Sequence, residues 1–453
     1  MLEKIFWFAL FYLLACVIFL TGCNAGGVDS GKTPSSSDEF LPVTSIELSI
    51  NEDLELLVGD TRDIIATAYI DSEICSSAII EWESSDSSVA IVSKGKIVAL
   101  GGGCATISAN CGEITKSLNV FVAKRITAKN VNSFSEEYVN VYGRSYITNE
   151  KLNFDHSANA VELAIIGTSL SVDIESTTNS YMRVFIDNDA EGKRISVSAG
   201  TKTYKVAENL TNGYHKIRIV KVTESLHASW DLSNFNATAF ATLPEKSDLK
   251  IEFIGDSITA GNANLGSQGD AWSVDNSDSS KTYAYLTAQK LNANYSIVAL
   301  SGICVKAYHW VKNLNMSTMY ANVSNVNTEK YSFDFNPDVI VLNIGTNDAN
   351  YASNVDSSYA GKFTNDYLQF LSFIRAKNPN AHIVCIYGMT GSNPAISAGI
   401  YDAIDNMNDN NIVYNPFAFQ PNTSGGADHP SLSAHQAWSE ALANYIIEYR
   451  LTK

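Results

Sequence analysis

The chain has 453 residues, of which 45% are hydrophobic and 17% charged, and its formal net charge is −17. At about 150 residues per domain, this length predicts about three domains. The 48 acidic residues outnumber the 31 basic ones, which argues against a nucleic-acid-binding surface, because such a surface needs clustered Lys and Arg. The 22 Tyr and 19 Phe exclude disorder for most of the chain, since disordered segments contain few aromatic residues.

The N-terminus carries the features of an export signal. An apolar run extends from Ile5 to Leu20 after one cation, Lys4, and it is shorter than the roughly 20 residues of a membrane-spanning helix. Residues 20–23, Leu-Thr-Gly-Cys, resemble a bacterial lipobox, in which the peptidase cuts before the cysteine and the thiol is acylated. We therefore predict a lipoprotein signal peptide at residues 1–22, lipidation of Cys23, and a flexible tether over residues 23–42. An ordinary secretory signal or a single anchor helix is the alternative.

This reading predicts an exported lipoprotein at the cell surface or in the periplasm, attached to the membrane only through the lipid anchor at Cys23. The cysteines beyond it are Cys75, Cys104, Cys111, Cys304 and Cys385. An odd number cannot all pair within one chain. The spacing of the first three allows one disulfide without determining which pair forms it, and the last two are predicted to be buried thiols. No CxxC or His-rich spacing indicates a metal site, and we expect neither a metal nor a cofactor.

Residues 43–122 alternate apolar and polar side chains at period two, as in residues 46–50 and 64–68, which predicts a small β-sandwich. Residues 58–61 (Val-Gly-Asp-Thr), 82–86 (Trp-Glu-Ser-Ser-Asp) and 95–100 (Gly-Lys-Ile-Val-Ala-Leu) resemble a bacterial Ig-like domain of group 2. The resemblance implies a spacer or weakly adhesive module. Trp82 is expected in its core rather than on a ligand platform.

Residues 124–245 also show strand patterns and predict a second β-sandwich of the jelly-roll type. Short polar signatures occur in its strands and turns, among them residues 213–216 and 221–224. No chemistry follows from them, and His156, His215 and His227 are predicted to be structural.

Residues 248–453 change to strands separated by helices, which predicts an α/β domain with a parallel sheet. The predicted strands are residues 250–254, 296–300, 338–344, 382–387 and 411–414. Helical periodicity marks two helices, one through Phe363, Tyr367, Phe370, Leu371 and Ile374 and one through Trp438, Leu442, Tyr445 and Tyr449. Ligands of such sheets bind beyond the carboxyl ends of the strands.

Chemically useful residues follow several of these strands. Gly-Asp-Ser stands at 255–257, Ser-Gly at 301–302, Gly-Thr-Asn-Asp at 345–348 and Asp-His-Pro-Ser at 428–431. Each motif alone is ordinary turn or cap chemistry, and the first is not the GxSxG elbow of α/β-hydrolases. Together and in this order they provide a nucleophile, a backbone donor, an amide donor and an imidazole, the set that acyl transfer needs.

These motifs resemble an SGNH (GDSL-type) hydrolase. Residues 124–453, with a jelly-roll module before the hydrolase block, resemble carbohydrate esterase family 2, whose members are acetyl esterases of plant polysaccharides. The resemblance implies a three-layer SGNH domain with Ser257 as nucleophile and His429 as general base. It also implies an oxyanion hole formed by the N–H groups of Ser257 and Gly302 and the amide of Asn347. Asp256 and Asp348 are expected to shape loops.

One departure from the family pattern concerns the triad carboxylate. It usually lies two or three residues before the histidine, where this chain has Ala427 and Gly426. Asp428 is adjacent to His429, and neighbouring side chains of an extended segment point in opposite directions. Either the loop bends so that Asp428 completes a triad, or a backbone carbonyl orients the ring and a dyad operates. His435 falls on the last predicted helix and is expected to be structural.

The predicted function is a serine esterase that removes O-acetyl groups from plant cell-wall polysaccharide such as acetylated xylan or mannan, through an acetyl-enzyme on Ser257. The alternatives are an SGNH lipase or thioesterase, an O-acetylesterase of peptidoglycan or host glycans, and a non-catalytic glycan-binding surface protein. Trp272, Trp310 and Tyr320 are either sugar platforms or core residues. The polysaccharide, the hydroxyl position and the oligomeric state stay open at this point.

Overall fold

The computed structural model describes residues 43–126, 130–131 and 139–452. The predicted signal peptide, the lipid site at Cys23 and the tether lie outside these residues. Within the described part of the chain, no helix is long and apolar enough to cross a membrane. The five cysteines there are all free thiols, with Cys304 and Cys385 buried, so the disulfide that the sequence allowed among Cys75, Cys104 and Cys111 is not formed.

The first part of the described chain consists of short strands. They are β1 (Ser45–Leu48), β2 (Leu54–Leu57), β3 (Thr61–Asp63), β4 (Ala66–Ile70), β5 (Glu73–Ile74), β6 (Glu81–Ser84), β7 (Ala90–Ser93), β8 (Lys96–Ala99), β9 (Gly103–Cys111) and β10 (Ile114–Ala123). They form sheets of order β1-β4-β5, β2-β10-β9-β6 and β3-β8-β7. The alternating pattern buries one face of β1, β2, β8, β9 and β10, and Ile97, Ile107 and Val120 are fully buried in the shared core. Trp82 packs against this core as a partly buried residue.

A second, larger sheet follows. Its strands are β11 (Arg125–Ile126), β12 (Asn130–Val131), β13 (Val139–Tyr142), β14 (Tyr146–Thr148), β15 (Lys151–Phe154), β16 (Ala160–Ser176), β17 (Ser180–Ile186), β18 (Lys193–Val197), β19 (Gly200–Ala207), β20 (Gly213–Lys221) and β21 (Trp230–Ala241). Its main path runs β14-β15-β21-β16-β20-β17-β18. The 17-residue strand β16 pairs with β13, β19, β20 and β21, and it does so by shifting register on either side of Leu170. The core includes Phe154, Trp230 and Phe240.

The C-terminal part contains the predicted parallel sheet. Its strands are β22 (Lys250–Gly255), β23 (Asn294–Ala299), β24 (Val339–Asn343), β25 (His382–Ile386) and β26 (Ile412–Tyr414). The sheet order is β23-β22-β24-β25-β26, and every neighbouring pair is parallel. The five predicted strands are therefore present, with ends that differ by one or two residues. The chain continues from β22 to β23 on one side and then to β24 on the other, so the topological switch point of the sheet lies beside β22. Ligands of such sheets bind at this point, beyond the carboxyl ends of the strands.

Helices connect these strands. They are α1 (Ser257–Ala260), α2 (Tyr283–Lys290), α3 (Met316–Tyr320), α4 (Thr346–Asn354), α5 (Ala360–Lys377), α6 (Pro394–Met407) and α7 (Leu432–Leu451), with 3₁₀ turns at Ser279–Lys281, Ser357–Tyr359 and Gly426–Asp428. The two helices that periodicity predicted are α5 and α7. Phe363, Tyr367, Phe370, Leu371 and Ile374 are buried on α5, and Trp438 and Leu442 are buried on α7.

Both faces of the parallel sheet are covered. Ile251 and Phe253 of β22 pack on the same side as residues of α2 and α7, whereas Ile254 packs on the opposite side with residues of α5 and α6. Successive side chains of a strand point to opposite faces, so a strand buried on both faces reads as a continuous apolar run. This explains why the strand sequences of the parallel sheet are continuous apolar runs. The sheet lies between two layers of helices, which gives a three-layer arrangement.

The second sheet and the C-terminal part share buried contacts. The Arg144 guanidinium lies 3.1 Å from the Glu252 carboxylate, with 0% and 2% of their side chains exposed. Arg183 makes a second pair with the buried Asp278 at 2.7 Å. Tyr142 stacks on Tyr295 with ring centroids 5.2 Å apart. These contacts fasten the β-rich part directly to the parallel sheet and its connections.

Candidate active site

Ser257 lies at the carboxyl end of β22, as the first residue of α1. The Asp256 side chain caps this helix by accepting a hydrogen bond from the Ile258 N–H at 3.1 Å. Gly255 has no room for a side chain, because an added Cβ would lie 2.1 Å from Thr259 Oγ1 and 2.8 Å from the Asn343 carbonyl. The Gly-Asp-Ser sequence is therefore suited to a tight strand-to-helix turn that leaves the Ser257 side chain at the edge of the sheet.

His429 contacts Ser257 directly, since its Nε2 lies 2.8 Å from Ser257 Oγ. Its Nδ1 lies 2.8 Å from the carbonyl oxygen of Ala427. A carbonyl only accepts hydrogen bonds, so Nδ1 carries the proton and Nε2 accepts from the Ser257 hydroxyl. This tautomer is the one that a general base requires.

Asp428 does not orient the imidazole. Both ring nitrogens of His429 are engaged by Ser257 and Ala427, and Asp428 is exposed. The loop does bend, because Ala427 and Asp428 both have left-handed backbone angles, with φ of 49° and 57°. The bend brings round the Ala427 carbonyl rather than the Asp428 carboxylate. In this geometry the Ala427 carbonyl, and not the Asp428 carboxylate, is the hydrogen-bond partner of His429 Nδ1.

The turn before His429, residues 426–428, is held by backbone hydrogen bonds to the segment that follows α1. The Ala427 N–H donates to the Asp270 carbonyl at 2.7 Å, and the Gly426 N–H donates to the Ala263 carbonyl at 3.0 Å. Left-handed angles cost about 1–2 kcal/mol at a residue with a side chain, so these bonds help to hold a backbone that is locally unfavourable.

The environment of His429 favours its neutral form. Burial lowers the pKa of His429, and the hydrogen bond to Ala427 and the negative charges of Glu224 and Asp428 offset this in part. The net shift is downward, so the imidazole is a free base at neutral pH. The charge of Glu224 acts on His429 more strongly than that of Asp428.

Two predicted oxyanion donors lie at the ends of the strands beside β22. Gly302 follows β23 with a φ of 75°, and an added Cβ would lie 2.7 Å from Trp310 Cβ. Its N–H has no acceptor among the hydrogen bonds of the described residues. Asn347 is on the first turn of α4, after β24. Its Nδ2 donates to the Ile303 carbonyl at 3.1 Å, which leaves a second amide hydrogen.

Asp348 and Asp256 are both fully buried. Asp348 accepts hydrogen bonds from the Val305 N–H at 3.1 Å and from the Tyr359 hydroxyl at 2.8 Å. Burial raises the pKa of each carboxyl to about 7, against the hydrogen bonds, which lower it. Asp348 thus ties the 303–305 segment to α4, and Asp256 caps α1.

The aromatic residues proposed as sugar platforms differ in exposure. Trp310 is 65% exposed and Trp272 is 38% exposed, so both are available to a ligand. Tyr320 is fully buried, and its hydroxyl donates to Glu252 at 2.7 Å. Tyr320 is therefore a core residue. Trp272 stacks on His227 with ring centroids 4.3 Å apart.

His156, His215 and His435 lie in buried structural settings. His156 contacts the Val323 carbonyl at 2.9 Å, and His215 pairs with Asp187 at 2.8 Å. His435 is on α7 and accepts from the Tyr283 N–H at 3.1 Å. Within the described part of the chain, no group of three or more His, Cys, Asp or Glu could hold a metal ion.

Sequence reasoning missed two members of the site. The Ala427 carbonyl is a backbone group and leaves no signature in the sequence. Glu224 belongs to the second sheet's part of the chain, and its Oε2 accepts a hydrogen bond from the Ser301 N–H at 2.9 Å. It is the last residue of the polar signature at residues 221–224. Its contact with Ser301 of the C-terminal part depends on the fold and could not be predicted from that signature.

Two family models match this chain. The family model for the carbohydrate esterase 2 N-terminal domain matches residues 141–245. The model for the GDSL-like lipase/acylhydrolase family matches residues 253–444.

Among curated proteins, the cellulase/esterase CelE of Acetivibrio thermocellus is 31% identical over 306 residues, or 64% of this chain. The chain spans only 37% of the length of that relative. An acetylxylan esterase/glucomannan deacetylase of Cellvibrio japonicus is 24% identical over 68% of this chain and 88% of its own length.

Solved structures give a consistent result. A family two carbohydrate esterase from Clostridium thermocellum in complex with cellohexaose has a TM-score of 0.62 and 26% identity, covering 69% of this chain and 98% of its own. An acetyl xylan esterase from the rumen bacterium Butyrivibrio proteoclasticus shares the fold, with a TM-score of 0.64 and 24% identity over 71% of this chain and 97% of its own. Residues 141–245 are therefore similar to the carbohydrate esterase 2 N-terminal domain, and residues 253–444, which follow it, are similar to the GDSL-like lipase/acylhydrolase family.

Proposed function

We propose that this protein is a serine esterase that removes O-acetyl groups from plant cell-wall polysaccharide such as acetylated xylan or mannan, through an acetyl-enzyme on Ser257. The observation that carries the proposal is the contact of 2.8 Å between His429 Nε2 and Ser257 Oγ at the carboxyl end of β22. A serine hydroxyl becomes an effective nucleophile when an adjacent base accepts its proton.

The reaction proceeds in two halves. His429 Nε2 takes the proton of Ser257, and Ser257 Oγ attacks the acetyl carbonyl carbon to form a tetrahedral intermediate. The intermediate collapses when the sugar oxygen leaves with the proton from His429. A water molecule, deprotonated by the same Nε2, then attacks the acetyl-enzyme and releases acetate, and the proton returns to Ser257.

The N–H groups of Ser257 and Gly302 and the amide of Asn347 are proposed to stabilise the negative oxygen of each intermediate. The free N–H of Gly302 and the anchored amide of Asn347 support this assignment. Donors held in place before the reaction stabilise the transition state without reorganising during it.

The catalytic unit is proposed to be a Ser257–His429 dyad. The Ala427 carbonyl, 2.8 Å from His429 Nδ1, takes over the orienting task of a triad carboxylate. It fixes the tautomer and the ring plane, but it supplies no full charge to the imidazolium that forms in the transition state.

The substrate class rests on the relatives and on the exposed aromatic residues. The Cellvibrio relative is named an acetylxylan esterase/glucomannan deacetylase, and the Clostridium structure holds cellohexaose. Exposed Trp272 and Trp310 provide flat apolar faces of the kind on which sugar rings stack. The acidic net charge is compatible with a neutral polymer, which needs no electrostatic attraction.

The N-terminal segments complete the proposal. Residues 1–22 are proposed to direct export, Cys23 to carry the lipid, and residues 23–42 to act as a tether. Residues 43–122, with their three small sheets around one core, are proposed to be an Ig-like spacer, and residues 124–245 to be the jelly-roll domain of the esterase. Residues 248–453 are proposed as the SGNH domain.

The test replaces the nucleophile. Ser257→Ala is expected to abolish acetate release from acetylated xylan and glucomannan and hydrolysis of 4-nitrophenyl acetate. Ser392→Ala, at an exposed serine of the same part of the chain, is the matched control and should keep full activity. Undiminished turnover by Ser257→Ala would refute the proposal. A series of 4-nitrophenyl esters of increasing chain length separates an acetyl esterase, which prefers the acetyl ester, from a lipase or thioesterase.

A further inference from the structure

The turn that carries Gly302 is attached to a carboxylate of the preceding β-rich domain. Glu224 lies in the connection after β20, and its Oε2 accepts the hydrogen bond of the Ser301 N–H at 2.9 Å. Only 6% of Glu224 is exposed. This bond therefore holds the residue directly before the proposed oxyanion donor, and it comes from outside the parallel-sheet domain.

Ser301 is held at a second point. Asn262 Nδ2 donates to Ser301 Oγ at 3.0 Å, and Asn262 follows α1, which begins with Ser257. The backbone N–H and the side chain of Ser301 are thus both engaged, while the next N–H, that of Gly302, has no acceptor among the described residues. The bonds to Ser301 therefore hold the adjacent Gly302 N–H in a fixed position, where it can donate to a ligand.

Glu224 is a charged group at neutral pH. Burial raises the pKa of Glu224, but hydrogen bonds from His227 and from Ser301 outweigh it and leave the pKa below its ordinary value. His227 Nε2 lies 3.5 Å from Glu224 Oε1, and the His227 ring stacks on Trp272. A fixed negative charge therefore stands beside the site.

We propose that Glu224 is a positioning residue for the esterase reaction, which fixes the Ser301–Gly302 turn and so holds the Gly302 N–H in place as an oxyanion donor. The proposal rests on the proposed esterase function. The geometry that carries it is the bond of 2.9 Å from the Ser301 N–H to Glu224 Oε2, next to the Gly302 N–H.

Other titratable groups lie near this pair, and burial raises the pKa of Asp256, next to Ser257, to about 7. Asp428 also raises the pKa of His429, and burial lowers the pKa of His435 to about 3, so His435 stays neutral. Burial lowers the pKa of Lys221 to about 7, against the charges of Asp155 and Glu224. Lys221 Nζ donates to the Asp155 carbonyl at 2.9 Å and contacts neither Ser257 nor His429, so its titration changes stability rather than the chemical step.

The test compares two substitutions of Glu224. Glu224→Gln keeps an oxygen that can accept from Ser301 but removes the charge, and Glu224→Ala removes both. With 4-nitrophenyl acetate, Glu224→Ala should lower kcat by about 10- to 100-fold with little change in KM, since misplacing a reacting group by 1 Å can reduce the rate about 100-fold. Glu224→Gln should keep most of kcat, because its side-chain oxygen can still accept from the Ser301 N–H.

The matched control is Glu162→Gln. Glu162 is a buried glutamate of the same β-rich domain that pairs with Arg218 at 2.6 Å, away from the site residues. It should leave kcat and KM unchanged even if it lowers thermal stability.

The outcomes distinguish this proposal from the proposed function. Wild-type kcat in Glu224→Ala would overturn the role of Glu224 while leaving the esterase function in place. Absence of Ser257-dependent hydrolysis in the wild-type protein would overturn the function itself. If Glu224→Ala fails to fold, Glu224→Asp decides, because its shorter side chain moves the acceptor away from the Ser301 N–H and should lower kcat at constant KM, whereas wild-type kcat in this variant would overturn the role.

Discussion

The imidazole of His429 takes its orientation from the main chain, because its Nδ1 lies 2.8 Å from the carbonyl oxygen of Ala427. The adjacent carboxylate of Asp428 is exposed and is used by neither ring nitrogen. The group that orients the ring therefore carries only a partial charge. Because Asp428 contacts neither ring nitrogen, substitutions of His429 and of Asp428 should have different effects on the rate.

His429→Ala is expected to lower kcat by about 10⁴-fold or more, because removing the base of a nucleophile–base pair removes the action of both. Asp428→Asn is expected to lower kcat only a few-fold, since its charge is solvated. The measurement is the hydrolysis of 4-nitrophenyl acetate by both variants. A loss near 10⁴-fold in Asp428→Asn, roughly the effect of removing a triad carboxylate's charge, would restore Asp428 as a triad member.

Asn347→Ala tests the oxyanion hole. Loss of one oxyanion donor lowers kcat by about 10²- to 10³-fold, and we expect this range with a small change in KM, because the interaction is made in the transition state. Asn354→Ala, at an exposed asparagine near the end of the same helix α4, should leave kcat unchanged. A rise in KM at constant kcat would instead assign Asn347 to substrate binding.

The pH dependence of the reaction follows from His429. Its neutral form is the base, so kcat/KM should rise with pH as the imidazole loses its proton. Since burial holds the pKa of His429 below its ordinary value, the midpoint of this rise should lie below about 6.5. Initial rates at constant ionic strength from about pH 4.5 to about pH 8 measure this profile. A midpoint above 6.5 would contradict the electrostatics described for the site.

Arg144→Ala is expected to destabilise the protein strongly. Removing one partner of a buried ion pair costs about 3–5 kcal/mol, because the other charge stays buried, and here the Glu252 carboxylate would remain with 2% exposure. The free energy of unfolding from urea denaturation measures the loss. Lys290→Ala is the control, because its pair with Glu440 is at the surface and such pairs contribute about 0–1 kcal/mol. Equal losses in the two variants would show that the buried pair has no special role.

The strands of the parallel sheet were predictable because each is an apolar run followed by turn-forming residues. Ser257, Gly302 and Asn347 were predicted on the same basis, since residues at the carboxyl ends of neighbouring strands meet at one edge, whereas His429 lies between a 3₁₀ turn and α7. Their catalytic roles stay predictions until the variants are measured.

Other features could not be read from the sequence because they depend on three-dimensional contacts. The Ala427 carbonyl contacts His429 because Ala427 and Asp428 both have left-handed backbone angles. A backbone acceptor is present at every residue, so no side chain in the sequence indicates which one is used. Glu224 meets Ser301 across 77 residues of sequence. Tyr320 resembled an exposed platform as well as a core residue until packing placed it against Glu252.

The buried contacts between the β-rich and parallel-sheet parts have a consequence for how this architecture can change. A fragment that begins at β22 would expose Glu252 and Asp278 without their arginine partners, and it would leave the Ser301 N–H without its acceptor. The smallest unit that can move between genes and keep a prepared site is therefore the pair of domains. Recombination that exchanges only the GDSL-like half has to rebuild the adjoining β surface as well.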